Sequence, residues 1–529
     1  MTSAQDWIAH DPDPVTAAEL AACDADELAR RFAHPLTFGT AGLRGPLRGG
    51  PDGMNQAVVM RTTWALAQVL KDRCLGGSPV VVGRDARHGS EEFARAAAEV
   101  LAAEGFTVTH LYTPAPTPVV AFAVRRLGAA AGVQITASHN PPADNGYKVF
   151  ADGGLQIISP TDREIESAIT RAPHADEIAR TPVEPAGAEL VAAYLERVAT
   201  VRRSAGEVRV ALTAMHGVGG EFALDALALA GVDDVHVVDA QFAPDPDFPT
   251  VAFPNPEEPG ATDLLLTLAA DVGADVAIAL DPDADRCAVG VPDGETQGWR
   301  MLTGDETGWL LGDYLLSQLT DPSSALVAST VVSSRMLATI AADYGAQHAE
   351  TLTGFKWLAR ATAPGAALIY AYEEAIGHCV DPDAVRDKDG ISAAVLVCDL
   401  VTALRSRGRT LADALDDLAR RHGVHLTSAV SRRVQDAAEA MAALRADPPA
   451  TLAGIAVSLD DLGQRRGLHR TDALVFTGDD IRVVVRPSGT EPKLKSYIEV
   501  RRAPTDDLAT ARTQAQLLRT ELVAAVSQW

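Results

Sequence analysis

Residues 79–112 read PVVVGRDARHGSEEFARAAAEVLAAEGFTVTHLY. Val80–Val82 form a β-branched run, Ser90 stands where a helix cap belongs, and an Ala- and Leu-rich stretch follows until Gly105 stops it before a second strand at Phe106–Val108. Strand, helix, strand over so short a span is a βαβ unit, and a βαβ unit implies a parallel sheet. The order returns at VRVALTAMHGVGGEFALDALALAGV (208–232) leading into DDVHVVD, and at SALVASTVVSSRMLATIAADYGA (324–346) leading into QHAETL. The starts of the copies lie roughly a domain apart, which favours three related α/β domains over a short-period solenoid.

Beyond about residue 425 the texture changes. Ile455–Leu459, Ala473–Thr477, Asp480–Val485 and Ser496–Val500 read as strands of a smaller, differently built domain, closed by a helix over Asp506–Ser527. Charged, Pro-containing stretches near Arg171–Pro185 and Asp436–Pro449 read as connections.

A chain of 529 residues is several times the ~100–200 residues of one domain, in keeping with three or four domains. Lys and Arg total 46 against 71 Asp and Glu, and the formal charge of −25 disfavours nucleic acid or an anionic membrane surface as a partner. With 47% hydrophobic and 22% charged residues, the composition is that of an ordinary folded protein. The five scattered cysteines form no C-x-x-C pair, which argues against a disulfide framework or a zinc site of that kind. No run approaches the ~20 apolar residues of a bilayer span, and the start MTSAQDWIAHDPDP lacks a basic, apolar leader, so a soluble cytoplasmic protein is expected.

Four loops look chemical. In VQITASHNPPADNGYKVF (133–150), an apolar run reaches Thr136 and the Pro141–Pro142 pair blocks a helix, leaving Ser138 on a loop with His139 and Lys148 near in sequence. A serine hydroxyl among such groups can accept and return a phosphoryl group; the plain alternative is a Ser-, Asn- and Pro-rich turn. In DVAIALDPDADRCAVGV (275–291), Asp281, Asp283 and Asp285 alternate after a buried-looking strand, and such hard oxygen donors suit Mg²⁺. An EF-hand is excluded because its sixth and twelfth positions would be Arg286 and Pro292. A solvated acidic loop is the bland alternative, and the strand-then-DxD pattern also resembles the nucleophile motif of haloacid-dehalogenase-type phosphatases, with Asp281 taking the phosphoryl group.

In DIRVVVRPSGTEPKLKSYIEV (480–500), Arg486 offers a bidentate fork, Ser488, Gly489 and Thr490 can form an anion-binding nest, and Lys493 and Lys495 follow. A simple hairpin connection is the alternative. In IYAYEEAIGHCVDPDAVRDKDG (369–390), Glu373 and Glu374 can accept bonds from sugar hydroxyls, although a Glu-Glu pair alone is more often solvated surface. FGTAGLRG supplies Arg44 on a Gly-rich bend and TLTGFKW supplies Lys356 beside an aromatic. Arg44, Lys148, Arg286, Lys356 and Arg486 are the cations expected to act locally on a phosphate ester despite the acidic whole, since distant charge is screened over a Debye length of about 8 Å.

Taken in order, TAGLRG (40–45), TASHNP (136–141), DPDADR (281–286), EEAIGH (373–378) and RPSGTEPKLK (486–495) resemble the α-D-phosphohexomutase superfamily nearly end to end, in particular its phosphoglucomutase type 2/phosphopentomutase-like branch. The resemblance implies an α/β protein of four domains around a central cleft: three related mixed α/β sandwich domains and a smaller C-terminal α+β domain. The expected spans are 1–200 with the phosphoserine loop, 201–320 with the metal loop, 321–425 with the sugar loop and 426–529 with the phosphate loop.

It further implies that Ser138 is the phosphoserine and that Asp281, Asp283 and Asp285 bind Mg²⁺ together with the seryl phosphate. Arg44, His139, Lys148 and Arg286 would line that site, with His139 or Lys148 assisting proton transfer. Glu374 would hold sugar hydroxyls and Lys356 would contact substrate, while Arg486, Ser488, Gly489 and Thr490 would grip the phosphate that is not reacting. The implied reaction is reversible phosphate transfer between C1 and C6 of a hexose, glucose before mannose, through a sugar bisphosphate that also primes the enzyme. One departure is Ile376, where several members carry a serine, and a pentose phosphate is the nearest alternative substrate. An aspartyl phosphatase and a non-catalytic sugar-phosphate sensor are the competing classes; a sensor would be expected to have lost the serine or the carboxylates, and none is lost.

Overall fold

The computed structural model describes residues 3–39, 42–293, 298–467, 470–488 and 493–529. The chain divides into two compact units, one of Met1–Met301 with Gly377–Ala403 and the other of Leu302–Ile376 with Leu404–Trp529.

The first unit contains two sheets of the same plan. The first comprises β1 (Leu43–Pro46), β2 (Pro79–Arg84), β3 (Thr107–Leu111), β4 (Ala131–Ile135), β5 (Asp144–Ala151), β6 (Leu155–Gln156) and β7 (Pro185–Ala186). Its order is β1-β5-β4-β2-β3-β7, with β6 against β5. The second comprises β8 (Val210–Thr213), β9 (Val235–Val237), β10 (Val276–Leu280), β11 (Cys287–Asp293) and β12 (Gly298–Met301), in the order β12-β11-β10-β8-β9. In each sheet the first strand of the βαβ unit pairs in parallel on both sides, β2 with β3 and β4, and β8 with β9 and β10. In each, the chain then doubles back antiparallel, β4 to β5 and β10 to β11.

The central strands are fully buried hydrophobic runs because helices pack on them; Val81, Val82, Ile278 and Leu280 are each 0% exposed. Burial of each such side chain is worth about 1.5–3 kcal/mol. The helix Ser90–Ala103 buries Phe93, Ala94, Ala97 and Leu101. Ser90 is not its cap: Gly89 holds that place in the left-handed region (φ 76°), and the Ser90 hydroxyl instead donates to Asp85 Oδ1 at 2.6 Å. Gly105 ends this segment at φ 88°, as its position implied.

In the second unit β13 (Ala325–Thr330) pairs in parallel with β14 (Gln347–Thr351) and β15 (Ala367–Glu373), the third βαβ unit. The C-terminal sheet is antiparallel, running through Val424–Arg433, Lys493–Arg502, Ile481–Pro487, Leu474–Thr477 and Ser458–Asp461. Helix Leu508–Val526 buries Leu508, Ala515, Leu518 and Leu522 in its core. Two readings need correction. Asp436–Pro449 is not a connection: Asp436 caps a helix over Ala437–Ala446 whose Met441 and Leu444 are buried. Ile455–Leu459 is not one strand, because Ile455–Ala456 pairs with Thr451–Leu452 and a separate strand starts at Ser458.

The three α/β sheets place one loop alike, after the parallel strand β4, β10 or β15. Ser138 lies in the first of these loops, Asp281–Asp285 in the second and Glu374–Ile376 in the third. Each contains a non-glycine residue in the left-handed region: Ser138 (φ 51°), Ala284 (φ 51°) and Ile376 (φ 54°). Among the described residues no helix is long and apolar enough to cross a membrane.

Candidate active site

Ser138 is 1% exposed, at the turn where β4 gives way to β5. Its N–H donates to Thr136 Oγ1 at 2.9 Å, and its hydroxyl donates to Asp281 Oδ2 at 2.8 Å and lies 3.2 Å from His139 Nδ1. Arg87, 4% exposed and outside the sequence-based set, holds the loop from beneath. Its guanidinium donates to the carbonyls of Ser138 (2.5 Å), Asn140 (2.6 Å), Pro141 (2.8 Å) and Asp144 (3.2 Å). Asp85 lies 3.4 Å from Arg87 Nε, and the guanidinium sits over the Phe248 ring at 4.9 Å. Four carbonyls of the turn thus share one cation, that of Pro141 in addition to the Asp144 N–H it accepts at 3.0 Å, which fixes the strained turn.

Asp281, Asp283 and Asp285 are each no more than 1% exposed, and one carboxylate oxygen from each lies within 4.8 Å of the others. Lys148 Nζ donates to Asp283 Oδ2 at 2.6 Å and to Asp285 Oδ2 at 2.8 Å, and Thr117 Oγ1 donates to Asp283 Oδ2 at 2.5 Å. Lys388 Nζ is 3.3 Å from Asp285 Oδ2. Arg286 donates its backbone N–H to Asp281 Oδ1 at 3.2 Å and brings Nε within 3.8 Å of Asp281 and 3.9 Å of Asp285.

The close fit requires two glycines. A Cβ at Gly217 would lie 2.4 Å from Pro282 Cα, and one at Gly390 would lie 2.3 Å from the Arg286 carbonyl oxygen. Gly390 N–H also donates to the Ala284 carbonyl at 3.1 Å, which supports the turn in the acidic loop.

Burial and the two neighbouring carboxylates push the Asp281 carboxyl well above its usual range. Burial also acts to raise Asp283, but the charge and hydrogen bond of Lys148 outweigh it and hold Asp283 low. Burial would lower Lys148, yet Asp283 and Asp285 hold it high. For His139, burial and then Arg286 and Arg44 keep the imidazole well below its usual value.

The donor set fits a hard divalent cation. Asp283 Oδ1 and Asp285 Oδ1 are buried with no hydrogen-bond partner, and three carboxylates in one place are otherwise uneconomical.

The structure therefore gathers Ser138, His139, Lys148, Arg286 and the three aspartates into one cluster. Arg44 joins it by donating to Asn140 Oδ1 at 3.3 Å, but from strand β1 and not from a bend; the bend reading missed the antiparallel pairing of Arg44 with Gly146 on β5. Glu374, Lys356, Arg486 and Ser488 belong to the second unit. Glu374 Oε2 accepts from Thr330 and Ser333, each at 3.1 Å, and Lys356 sits on the short helix Phe355–Leu358. Arg486 pairs with Lys495 across a hairpin, and Ser488 N–H donates to the Lys493 carbonyl at 2.8 Å. Gly489 and Thr490 lie outside the described residues.

Arg87, Thr117, Lys388 and Gly390 are the site residues that sequence reasoning passed over. The signal for Lys388 was available: the charged run RDKDG at 386–390 leads directly into the apolar helix Gly390–Arg405. Arg87 gave no local sign, because its partners lie some fifty residues away.

The chain is similar to known proteins over most of its length. The chain matches the descriptions "Phosphoglucomutase/phosphomannomutase, alpha/beta/alpha domain I" over 35–176, domain II over 191–294, domain III over 303–422 and the C-terminal domain over 430–517. It is 43% identical over 459 residues to a protein of Haemophilus influenzae named probable phosphomannomutase, covering 85% of this chain and 93% of that one. It is 36% identical over 461 residues to the phosphopentomutase of Mus musculus, covering 80% and 74%. In fold it is similar to a phosphoglucomutase/phosphomannomutase family protein from Burkholderia thailandensis, with a TM-score of 0.69 at 22% identity over 92% of this chain and 97% of that one. With four successive domain matches in order and relatives aligned over most of its length, this chain belongs to the phosphoglucomutase/phosphomannomutase family of phosphosugar mutases.

Proposed function

We propose that the enzyme moves a phosphate reversibly between C1 and C6 of a hexose, glucose before mannose, with Ser138 as the phosphoryl carrier. The observation that carries this reading is the Ser138 hydroxyl bonded to Asp281 at 2.8 Å inside a buried pocket ringed by Lys148, Arg286 and Lys388.

Each turnover is two transfers. A sugar hydroxyl attacks the phosphorus of phosphoserine; a P–O bond to the sugar forms, the bond to Ser138 Oγ breaks, and the hydroxyl proton leaves. The resulting bisphosphate turns end over end, and Ser138 Oγ then takes the other phosphate, so one phosphate is gained and one returned. Asp281, Asp283 and Asp285 would hold Mg²⁺ with the seryl phosphate, and the ion supplies charge neutralisation for the group in transit. Lys148 is locked between two carboxylates, whereas His139 Nδ1 lies within hydrogen-bond reach of Ser138 Oγ, so His139 is the better placed to take or return the proton. Arg286 and Arg44 stabilise charge at the reacting phosphate. In the second unit Glu374 would accept sugar hydroxyls, Lys356 would contact substrate, and Arg486, Ser488, Gly489 and Thr490 would hold the idle phosphate. A sugar bisphosphate would prime the unphosphorylated enzyme, and the cytoplasm is the compartment in which it would act.

A phosphopentomutase is the second reading. It is favoured by the mouse relative and by Ile376, which removes a hydroxyl from the sugar loop. Comparison of kcat/KM for glucose 1-phosphate, mannose 1-phosphate, ribose 1-phosphate and deoxyribose 1-phosphate, with a trace of bisphosphate, decides. Glucose 1-phosphate should lead; a pentose ester ahead by tenfold, about 1.4 kcal/mol, overturns the hexose assignment.

A further inference from the structure

Far along the chain from the acidic loop, two histidines and two aspartates meet where the N-terminal helix packs on the first domain. Asp6 lies within helix Ala4–Ala9 and His10 closes that helix, while His174 precedes the short turn Ala175–Glu177. The His10 and His174 rings are stacked with centroids 4.0 Å apart and planes at 15°. His174 Nδ1 is 3.9 Å from Asp6 Oδ2, and one donor atom from each of Asp6, His10 and His174 lies within 4.8 Å of the others.

We infer that Asp6, His10 and His174 form a second metal site, for a divalent transition-metal ion of the zinc or cobalt class. Mixed imidazole and carboxylate donors select such ions over Mg²⁺, which prefers oxygen throughout. The outer shell is in place. Asp176 lies 3.0 and 3.1 Å from His10 Nδ1 through its two oxygens, which orients the ring and leaves Nε2 as the ligating nitrogen, the arrangement that supports metal-bound histidine.

The two segments that supply the ligands are fastened together. Arg61 donates to the carbonyls of Pro173 (3.0 Å) and Ile169 (3.1 Å), just before His174, and lies 5.6 Å over the ring of Trp7, next to Asp6. Trp7 and Ala175, the neighbours of the donors, are buried in one small apolar cluster. A cavity of about 10 Å³ bordered by Trp7, His10, Arg61 and His174 leaves roughly the room of one water-sized sphere.

Zinc bonds of about 2.0–2.2 Å require the donors to close in by an ångström or so. The four side chains are between 31% and 43% exposed and can rotate to do so. Two carboxylates against the single charge of Arg61 leave a local negative excess that a dication balances. Bound there, the ion would tie the N-terminal helix to the segment after helix Thr161–Ile169. This inference is independent of the mutase reading.

The test uses the full chain without a histidine tag, stripped with chelator and held in saturating Mg²⁺ so that the acidic loop is occupied. Calorimetric titration with ZnCl₂ should give one site per chain, and CoCl₂ should give the visible absorption of nitrogen-ligated Co²⁺. The His10→Ala/His174→Ala double variant should bind Zn²⁺ at least tenfold more weakly with Mg²⁺-supported mutase activity unchanged, and Asp176→Asn should weaken binding severalfold. If the double variant folds poorly, Asp6→Asn alone should give the tenfold loss. No Zn²⁺ uptake in Mg²⁺, or uptake that these substitutions leave unchanged, overturns the proposal.

Discussion

The acidic loop of the first unit and two acids of the second, Glu374 and Asp305, are held differently. In the first, Asp283 and Asp285 lie against Lys148, Asp285 also has Lys388, and Asp281 has Arg286. In the second, Glu374 Oε2 is held by the hydroxyls of Thr330 and Ser333, and buried Asp305 Oδ1 accepts from the Ser334 N–H at 2.8 Å and the Tyr372 hydroxyl at 2.9 Å. Lys148 holds Asp283 and Asp285 in their charged form, while burial and those two carboxylates push Asp281 up, a set of oxygen donors that a metal ion would balance. Buried Asp305, bonded to neutral donors, is pushed up by its burial, which favours the protonated form.

The largest expected effect tests the chemical half. Ser138→Ala should reduce kcat by at least about 10⁴-fold, or roughly 5.5 kcal/mol, and peptide mapping should find no phosphate elsewhere in the loop. Phosphate on Asp281 with turnover retained would replace the serine mechanism by an aspartyl one.

Next is the support beneath the serine. Arg87→Ala removes a donor shared by the carbonyls of Ser138, Asn140, Pro141 and Asp144, and kcat should fall by about 10²- to 10³-fold with KM little changed, since Arg87 acts through the loop. Arg87→Lys should recover only a small part, because one ammonium cannot reproduce the planar fork. An equal rise in KM would mean that Arg87 touches substrate.

The contrast also has a pH signature. Burial lifts Asp305 to about 6, against an unfolded value near 3.8. Its contribution to stability is therefore complete below pH 3.8 and is lost as pH rises through 6, amounting to about 3 kcal/mol. Relative to the parent, Asp305→Asn should gain most of that amount between pH 4 and pH 7, read from denaturation midpoints. A constant difference across this range would show that Asp305 stays ionised.

The smallest effect belongs to recognition. Glu374→Gln keeps the shape but removes the charge, and kcat/KM for the hexose phosphate should drop by about ten- to a hundredfold, in line with 1.5–3 kcal/mol for a charged hydrogen bond. Phosphorylation of Ser138 by a bisphosphate donor that saturates the enzyme should proceed at nearly the parental rate. A collapse of that half-reaction would place Glu374 in the chemistry.

The α/β framework and the reacting loops were legible in the sequence because both are written locally. β-branched runs, Ala-rich helices and Gly stops mark the three βαβ units, and proline keeps the Ser138 and Asp281 loops from coiling. What escaped depends on pairing at a distance. Arg44 looked like part of a bend because its strand exists only opposite β5, and Ser90 looked like a cap because its bond to Asp85 is tertiary. The Ala437–Ala446 helix was masked by its charged, Pro-containing surroundings, and its buried Met441 and Leu444 became visible only against the C-terminal sheet. Arg87 and Lys388 were passed over because only the fold brings the Ser138 carbonyl and Asp285 to them.

The left-handed corner after β4, β10 and β15 has a wider consequence. One backbone template carries Ser138 at the first position, three aspartates at the second and Glu374 at the third, so the same corner presents different side-chain chemistry in each sheet. The first two corners are joined by the Ser138–Asp281 hydrogen bond and by Lys148, so a change at one must be matched at the other while the sheets behind them stand still.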